Sequence, residues 1–408
     1  MGFFKQTINT VPLEGQTVLV RADYNVPLNH NGTIADDFRI RASLPTLKKL
    51  LADNCKVVII SHLGRPKGRD ETLSLEPIAK RLSELLEIPV QFVDQAVGDK
   101  VRMSVKKAPK KSVTLLENLR FYPGEEENDA AFAKELVKSS GARYFVQDGF
   151  GVVHRAHAST SAITQLLPSV AGLLLEREYT TITNAMRRPK RPLVAILGGA
   201  KVADKIDLIK EFISVADTII ISGAMANTFL AYKGFSLGRS KIEPGETALI
   251  DTIYEAARQK AGNDMLDDFL VLPIDLAIGR AVDENQQRRI VPVSGVGPDD
   301  LALDIGDESI EQMVRIVENA KTVIWNGTLG VAELPAFAHG SARLALTLAT
   351  NPSITSIVGG GDTADFVLDW DARGGESFTH VSTGGGASLE LMAGEKLPGI
   401  QSLLDASG

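Results

Sequence analysis

Cysteine is almost missing from this chain: among 408 residues only Cys55 is present, so no disulfide can form within it. Cys55 stands at the start of an apolar run and reads as a small core residue rather than a reactive thiol. No apolar run is long enough to span a bilayer. The N-terminal MGFFKQTINT lacks the apolar stretch of a secretory signal, so a cytoplasmic location is expected. A basic excess is missing too. The 44 Lys+Arg against 51 Asp+Glu leave a formal charge of -7, which argues against nucleic-acid binding. Neither G-x-x-x-x-G-K-[ST] nor G-x-G-x-x-G occurs, and nothing matches the catalytic-loop and D-F-G signatures of protein kinases.

What is present is a steady alternation of short β-branched runs with amphipathic segments. In the first half the candidate strands are Thr17–Arg21, Lys56–Ser61, Val90–Val93, Val113–Glu117 and Tyr144–Gln147. Helical spacing covers Arg41–Asp53, Leu75–Leu86 and Asp129–Ser139, the last bracketed by Asn128 as N-cap and Gly141 beyond its end. The second half repeats the rhythm at Leu193–Leu197, Thr218–Ser222, Phe269–Leu272, Thr322–Trp325, Ile354–Val358 and Thr379–Ser382. Such alternation predicts an α/β protein with parallel sheets covered by helices on both faces, and the length predicts two domains. The boundary is expected in the polar stretch Glu176–Pro192, a solvated connector.

Ligands of open α/β sheets collect at the carboxyl ends of strands. In the first half these exits read RADYNVP, SHLGRPKG, ENLRFYPGEE and QDGFGVVHRAHAS. They carry His62, Arg65, Arg120 and Arg155 towards one rim, with Arg39 at the following helix start. Several guanidinium groups in a chain of net negative charge point to a local anion site. Asp23 and Asn25 suit a hydroxyl on the same small ligand. Zinc is disfavoured at His62, His154 and His157, which sit among arginines and lack carboxylate or cysteine at ligand spacing.

The second half has glycine-rich exits: LGGAKVADK, SGAMANTF, WNGTLGVAE, GGGDTAD and STGGGASLE. Glycine at a strand-to-helix turn lets backbone N–H groups approach phosphate oxygens. Lys201 and Lys205 lie one helical turn apart, and Asp362 offers a hard oxygen ligand for Mg2+. A small anionic ligand in one half and a nucleotide phosphate in the other make phosphoryl transfer the economical reading. Two alternatives stand beside it: a non-catalytic two-domain binding protein for a phosphorylated metabolite, and a nicotinamide-dependent dehydrogenase, which the absent dinucleotide fingerprint disfavours.

The motifs RADYNVPL, SHLGRPKG, LLENLRFYPGEE, VHRAHAS, AILGGAKVADKIDLI, KTVIWNG, GGGDTA and HVSTGGGASLELMAGEKLPG occur in this order along nearly the whole chain. Together they resemble the phosphoglycerate kinase family. The resemblance implies two Rossmann-like domains: residues 1–175 for 3-phosphoglycerate, with the tail 395–408 packing back on them, and residues 192–394 for nucleotide, joined by a hinge helix at 176–191. It implies a monomer acting on 3-phosphoglycerate or 1,3-bisphosphoglycerate with ADP or ATP and Mg2+, without nucleic-acid or membrane partners. Asp23, Asn25, Arg39, His62, Leu63, Gly64, Arg65, Arg120 and Arg155 match the family's acid site. Ala200, Lys201, Lys205, Gly223, Leu303, Asn326, Glu333, Gly360, Gly361, Asp362 and Thr363 match its nucleotide site, with Asp362 on the metal. Arg39, Lys201, Gly384, Gly385 and Gly386 match the groups around the phosphoryl group in flight. Ser222, Ala224, Thr328 and Ala332 depart from the usual pattern on the nucleotide side.

Overall fold

The computed structural model describes residues 2–406. It resolves into two compact units, one of residues up to Thr180 together with those from Lys396 onward, the other of Thr181–Glu395. Met1 and the last two positions of the expected tail lie outside the described residues. The division falls inside the helix Leu173–Arg187.

The first unit is built on six parallel strands: β1 (Thr17–Arg21), β2 (Lys56–Ile60), β3 (Val90–Val93), β4 (Ser112–Leu116), β5 (Tyr144–Gln147) and β6 (Ser169–Ala171), in the order β3-β4-β2-β1-β5-β6. Successive side chains of a strand face opposite sides. Val18, Val20, Val57 and Ile59 therefore pack with Ile40, Leu47 and Leu50 of the helix Phe38–Ala52. Leu19, Val58 and Ile60 pack on the other face with Phe132 and Leu136 of the helix Ala130–Ser140. Both faces are covered, which is why these strands read as continuous apolar runs. Cys55 is buried in the first of these clusters, its thiol donating to the Leu13 carbonyl at 3.0 Å. The cap of the helix Ala130–Ser140 is Asp129, not Asn128: the Asp129 carboxylate accepts from Ala131 N, while Asn128 takes a φ of 54° and accepts from Ala162 N. Gly141 ends the helix in the left-handed region, at φ 60°.

The second unit holds β7 (Leu193–Leu197), β8 (Thr218–Ile221), β9 (Leu270–Val271), β10 (Asp275–Gly279), β11 (Arg289–Pro292), β12 (Leu301–Ile305), β13 (Thr322–Asn326), β14 (Thr355–Gly359) and β15 (His380–Val381). Six of them form a parallel sheet ordered β15-β14-β13-β7-β8-β9. The other three, β11-β10-β12, form an antiparallel sheet that the strand–helix rhythm did not announce. Both six-stranded sheets are parallel, as expected. In each, strand order reverses at the first strand: β1 lies between β2 and β5, and β7 between β13 and β8. A crevice opens at the carboxyl ends where the order reverses. Among the described residues no helix is long and apolar enough to cross a membrane.

Candidate active site

In the first unit the exits of β1, β2, β4 and β5 form the rim of such a crevice. Asn25 organises it: its carbonyl accepts from Arg39 at 2.7 Å and its side-chain oxygen from Gly64 N at 2.8 Å. Asp23 Oδ1 lies 3.8 Å from the Arg39 guanidinium and 3.9 Å from His62 Nδ1. Asn118 braces the β2 exit, accepting from Leu63 N and donating to the Leu63 and Leu73 carbonyls. Arg120 donates to the Gly64 carbonyl and lies 3.4 Å from Glu126. Arg65 is exposed; Arg155 is half-buried and donates to His154 Nε2 at 3.1 Å.

These charges act on one another. Burial drives His62 well below the usual imidazole range, and Arg21, Arg120 and Arg39 add to the effect. Burial also lowers Arg120, against the pull of Glu126 and with the push of Arg21, Arg155 and Arg65. The structure thus brings every expected arginine of this rim within electrostatic reach of its neighbours. His62 Nδ1 faces the Arg21 guanidinium at 3.3 Å. A guanidinium only donates, so Nδ1 accepts and the ring's proton is on Nε2. A neutral His62 is therefore a hydrogen-bond donor beside the cations.

Arg21 was not among the expected site residues. It is 1% exposed, donates to Ser159 Oγ at 2.7 Å and lies 3.8 Å from Glu125, itself buried and bonded to Ser159. Burial lowers Arg21 and raises Glu125. An arginine ending an otherwise apolar strand was the available signal.

In the second unit two adjoining cavities share Gly199, Ala200, Thr328 and Asp362. One, of about 340 Å3, has apolar walls from Leu276, Leu301, Leu303 and Val331 and includes Gly223 and Glu333. The other, of about 320 Å3, is lined by Lys201, Lys205, Asn326, Gly360, Gly361 and Thr363. Every expected nucleotide-site residue thus lines one cavity or both. The β7 and β13 exits cross so closely that a Cβ on Gly198 would lie 2.1 Å from the Thr328 carbonyl, and one on Gly327 2.3 Å from the Gly198 carbonyl carbon. Only glycine permits that crossing. Asn326 donates to the Gly359 carbonyl and Gly327 N to Thr363 Oγ1, fixing the floor.

The two lysines differ. Lys205 is half-buried, donating to the Gly198 carbonyl at 2.8 Å; burial brings its ammonium down to about 8 against the attraction of Asp362 and Asp204. Lys201 is 61% exposed, 3.6 Å from Asp204. Gly384, Gly385 and Gly386 lead into the short helix Gly386–Met392, whose Leu389 lines the smaller cavity.

Comparison with known proteins agrees with this arrangement. A phosphoglycerate kinase family profile matches residues 8–395. The chain is 42% identical to the phosphoglycerate kinase of Pelotomaculum thermopropionicum over 402 residues, 98% of this chain and 99% of that protein. It is 44% identical to that of Aquifex aeolicus, with 98% of each covered. The structure superposes on the phosphoglycerate kinases of Coxiella burnetii and Pyrococcus horikoshii with TM-scores of 0.83 and 0.82 and identities of 32% and 30%, covering 98% of both chains in each pair. An arginine rim, a paired lysine–glycine cleft and end-to-end similarity lead to one conclusion: the chain belongs to the phosphoglycerate kinase family.

Proposed function

We propose that the chain catalyses reversible phosphoryl transfer between 1,3-bisphosphoglycerate and ADP, giving 3-phosphoglycerate and ATP, as a cytoplasmic monomer of glycolysis and gluconeogenesis. The observation that carries the reading is the pair of unlike sites, each at the point where its sheet reverses strand order. In this reading Arg65, Arg120 and Arg155 grip the phosphate that stays on the acid. Asp23 and Asn25 meet its hydroxyl, and His62, Leu63 and Gly64 complete the pocket. The apolar cavity with Leu303, Gly223 and Glu333 takes the nucleoside. Ala200, Lys205, Asn326, Gly360, Gly361 and Thr363 take its phosphates.

The chemistry asks little of proton transfer. Towards ATP the acceptor is an ionised phosphate oxygen of ADP, and in reverse it is a carboxylate with a reference pKa of roughly 3.5, so no general base is needed in either direction. What remains is alignment and neutralisation of charge on the transferring group. Arg39, Lys201 and the Gly384–Gly386 turn fill that role. Asp362 is an exposed carboxylate lining both cavities beside the Gly360–Gly361 turn. A single carboxylate suits Mg2+, which takes most of its ligands from phosphate oxygens and water. Held by Asp362, the ion would supply positive charge against the nucleotide phosphates.

Transfer requires the reacting oxygens to come within roughly 3–3.5 Å, with water kept away. The reading therefore includes closure that joins the ligands of the two units. A coupled assay with ATP, Mg2+ and 3-phosphoglycerate tests the activity. Binding of both ligands without turnover would favour a non-catalytic receptor instead.

A further inference from the structure

Lys201 has little to hold it. Its side chain is 61% exposed, and its ammonium lies 3.6 Å from Asp204, a carboxylate that is itself 68% exposed. A cation acting on a transferring phosphoryl group has to be placed within a fraction of an ångström. Its placement must therefore come from the backbone of its own loop. That loop is anchored behind Lys201, where Gly199 N donates to the Thr328 carbonyl and Met225 N to the Gly199 carbonyl. Ahead of Lys201 lie the amides of Val202 and Ala203, at the start of the turn that opens the helix Ile206–Val215.

Both amides are held by one side chain. Glu243 Oε2 accepts from Val202 N at 2.5 Å and from Ala203 N at 3.4 Å. A carboxylate at that position also answers the partial positive charge of a helix start. Glu243 is fixed in turn: its own N–H donates to Thr228 Oγ1 at 3.1 Å, and Asn227 Nδ2 donates to the Lys241 carbonyl at 3.3 Å. Three residues earlier, Ser240 Oγ accepts from Ala302 N at 2.8 Å. Asn227, Lys241 and Ala302 all line the apolar cavity. The segment Ser240–Glu243 thus runs from the wall of the nucleoside cavity to the backbone of the lysine loop.

We propose that Glu243 is the positioning residue for Lys201, and that the segment Ser240–Glu243 transmits the set of the nucleoside cavity to that lysine. The proposal rests on the reading of Lys201 as the cation on the phosphoryl group in flight. Glu243 touches no reacting atom; it acts through the two amides it holds. Losing it frees the loop, and a misplacement of about an ångström at a reacting group costs up to roughly a hundredfold in rate.

The test is a double-mutant cycle with Glu243→Ala, Glu243→Gln, Lys201→Ala and the Lys201→Ala/Glu243→Ala pair. Expected for Glu243→Ala is a kcat about tenfold lower or more, with the KM for 3-phosphoglycerate within about twofold of wild type and a melting temperature lowered by no more than about 4 °C, the loss of one cap. Glu243→Gln keeps an acceptor oxygen for the same amides, so most of the rate should return. In the pair, the loss should be no larger than in Lys201→Ala alone, since a misplaced lysine and a missing one fail alike. A near-normal kcat for Glu243→Ala, or additive losses in the pair, overturns the role of Glu243 while leaving Lys201 catalytic. A normal kcat for Lys201→Ala removes the reading of Lys201 itself, and the proposal with it.

Discussion

At the residue scale, charge decides behaviour. If Lys201 neutralises the group in flight, Lys201→Ala should lower kcat by roughly 10² to 10³ with little change in substrate binding, which steady-state kinetics will read. Its neighbour is a pH probe. Burial brings Lys205 to about 8 from the usual 10.5. Bound phosphate would stabilise the ammonium and raise it again. Nucleotide binding should therefore take up a proton near and above pH 8, and affinity should fall as pH rises through that value. Calorimetry of ADP binding in buffers of different ionisation heat measures the uptake; Lys205→Met should abolish it. On the other rim, Ala variants of Arg65, Arg120 and Arg155 should raise the KM for 3-phosphoglycerate while ADP affinity in calorimetry stays unchanged. These residues were legible because each follows an apolar run, where sheet topology puts ligands. Arg21 and Glu243 were not. Arg21 ends a strand whose partner Ser159 is 138 residues away, and Glu243 reaches a loop 41 residues back. Such pairings exist only once the chain has folded.

At the element scale, parallel strands buried on both faces announce themselves as unbroken apolar runs, and β1, β5 and β7 are found at the expected residues. Of the antiparallel trio, β11 escaped because it is largely exposed and polar-flanked, and β10, though buried, offers only Leu276, Ala277 and Ile278 between Asp275 and Gly279. The small edge strand β6 is only three residues long. The helix Leu173–Arg187 begins under side-chain control: Thr46 Oγ1 accepts from Leu173 N, and Asp148 Oδ1 accepts from Leu174 N at 3.0 Å. Burial pushes Asp148 up to about 7, against the pull of Thr46 and the Leu174 and Leu175 amides. A carboxyl raised from 3.8 in this way stabilises the fold fully below 3.8, and the contribution is lost as pH rises towards 7. Asp148→Asn mimics the neutral form at every pH. Its stability relative to wild type should grow between pH 5 and pH 8 by on the order of 2 kcal/mol, read from melting curves at both values. A constant gap would mean that Asp148 is ionised throughout.

At the scale of the whole molecule, the chain returns to the unit in which it began. Lys5 Nζ donates to the Gln401 and Leu403 carbonyls and to Asp405, at 2.8, 2.9 and 2.7 Å. Gly399 N donates to the Val153 carbonyl, next to the loop of His154 and Arg155. Ile400 and Leu403 are buried, while Leu404 is 45% exposed and joins the unit through its backbone, accepting from Gln6 N and donating to the Ser169 carbonyl. Deleting residues from Gly399 onward should lower the melting temperature of the first unit and weaken binding of 3-phosphoglycerate. An unchanged melting curve would count against that. Closure has its own measurement. Small-angle scattering of the free protein, each binary complex and a ternary complex with a non-hydrolysable ATP analogue should find the ternary complex most compact, since either ligand alone bridges nothing. Equal radii of gyration in all four samples would remove closure from the mechanism.

The return of the chain also sets an order of events during synthesis. Thr181–Glu395 is one uninterrupted stretch with its own sheets and core, so it can fold while the ribosome is still at work. The first unit cannot be completed then: Lys5 and Val153 wait for residues 399–405, which are translated only after the whole of the second unit. The half begun first is therefore the half finished second, and its arginine rim stays unbraced at Val153 until Gly399, beyond the second unit, has been made.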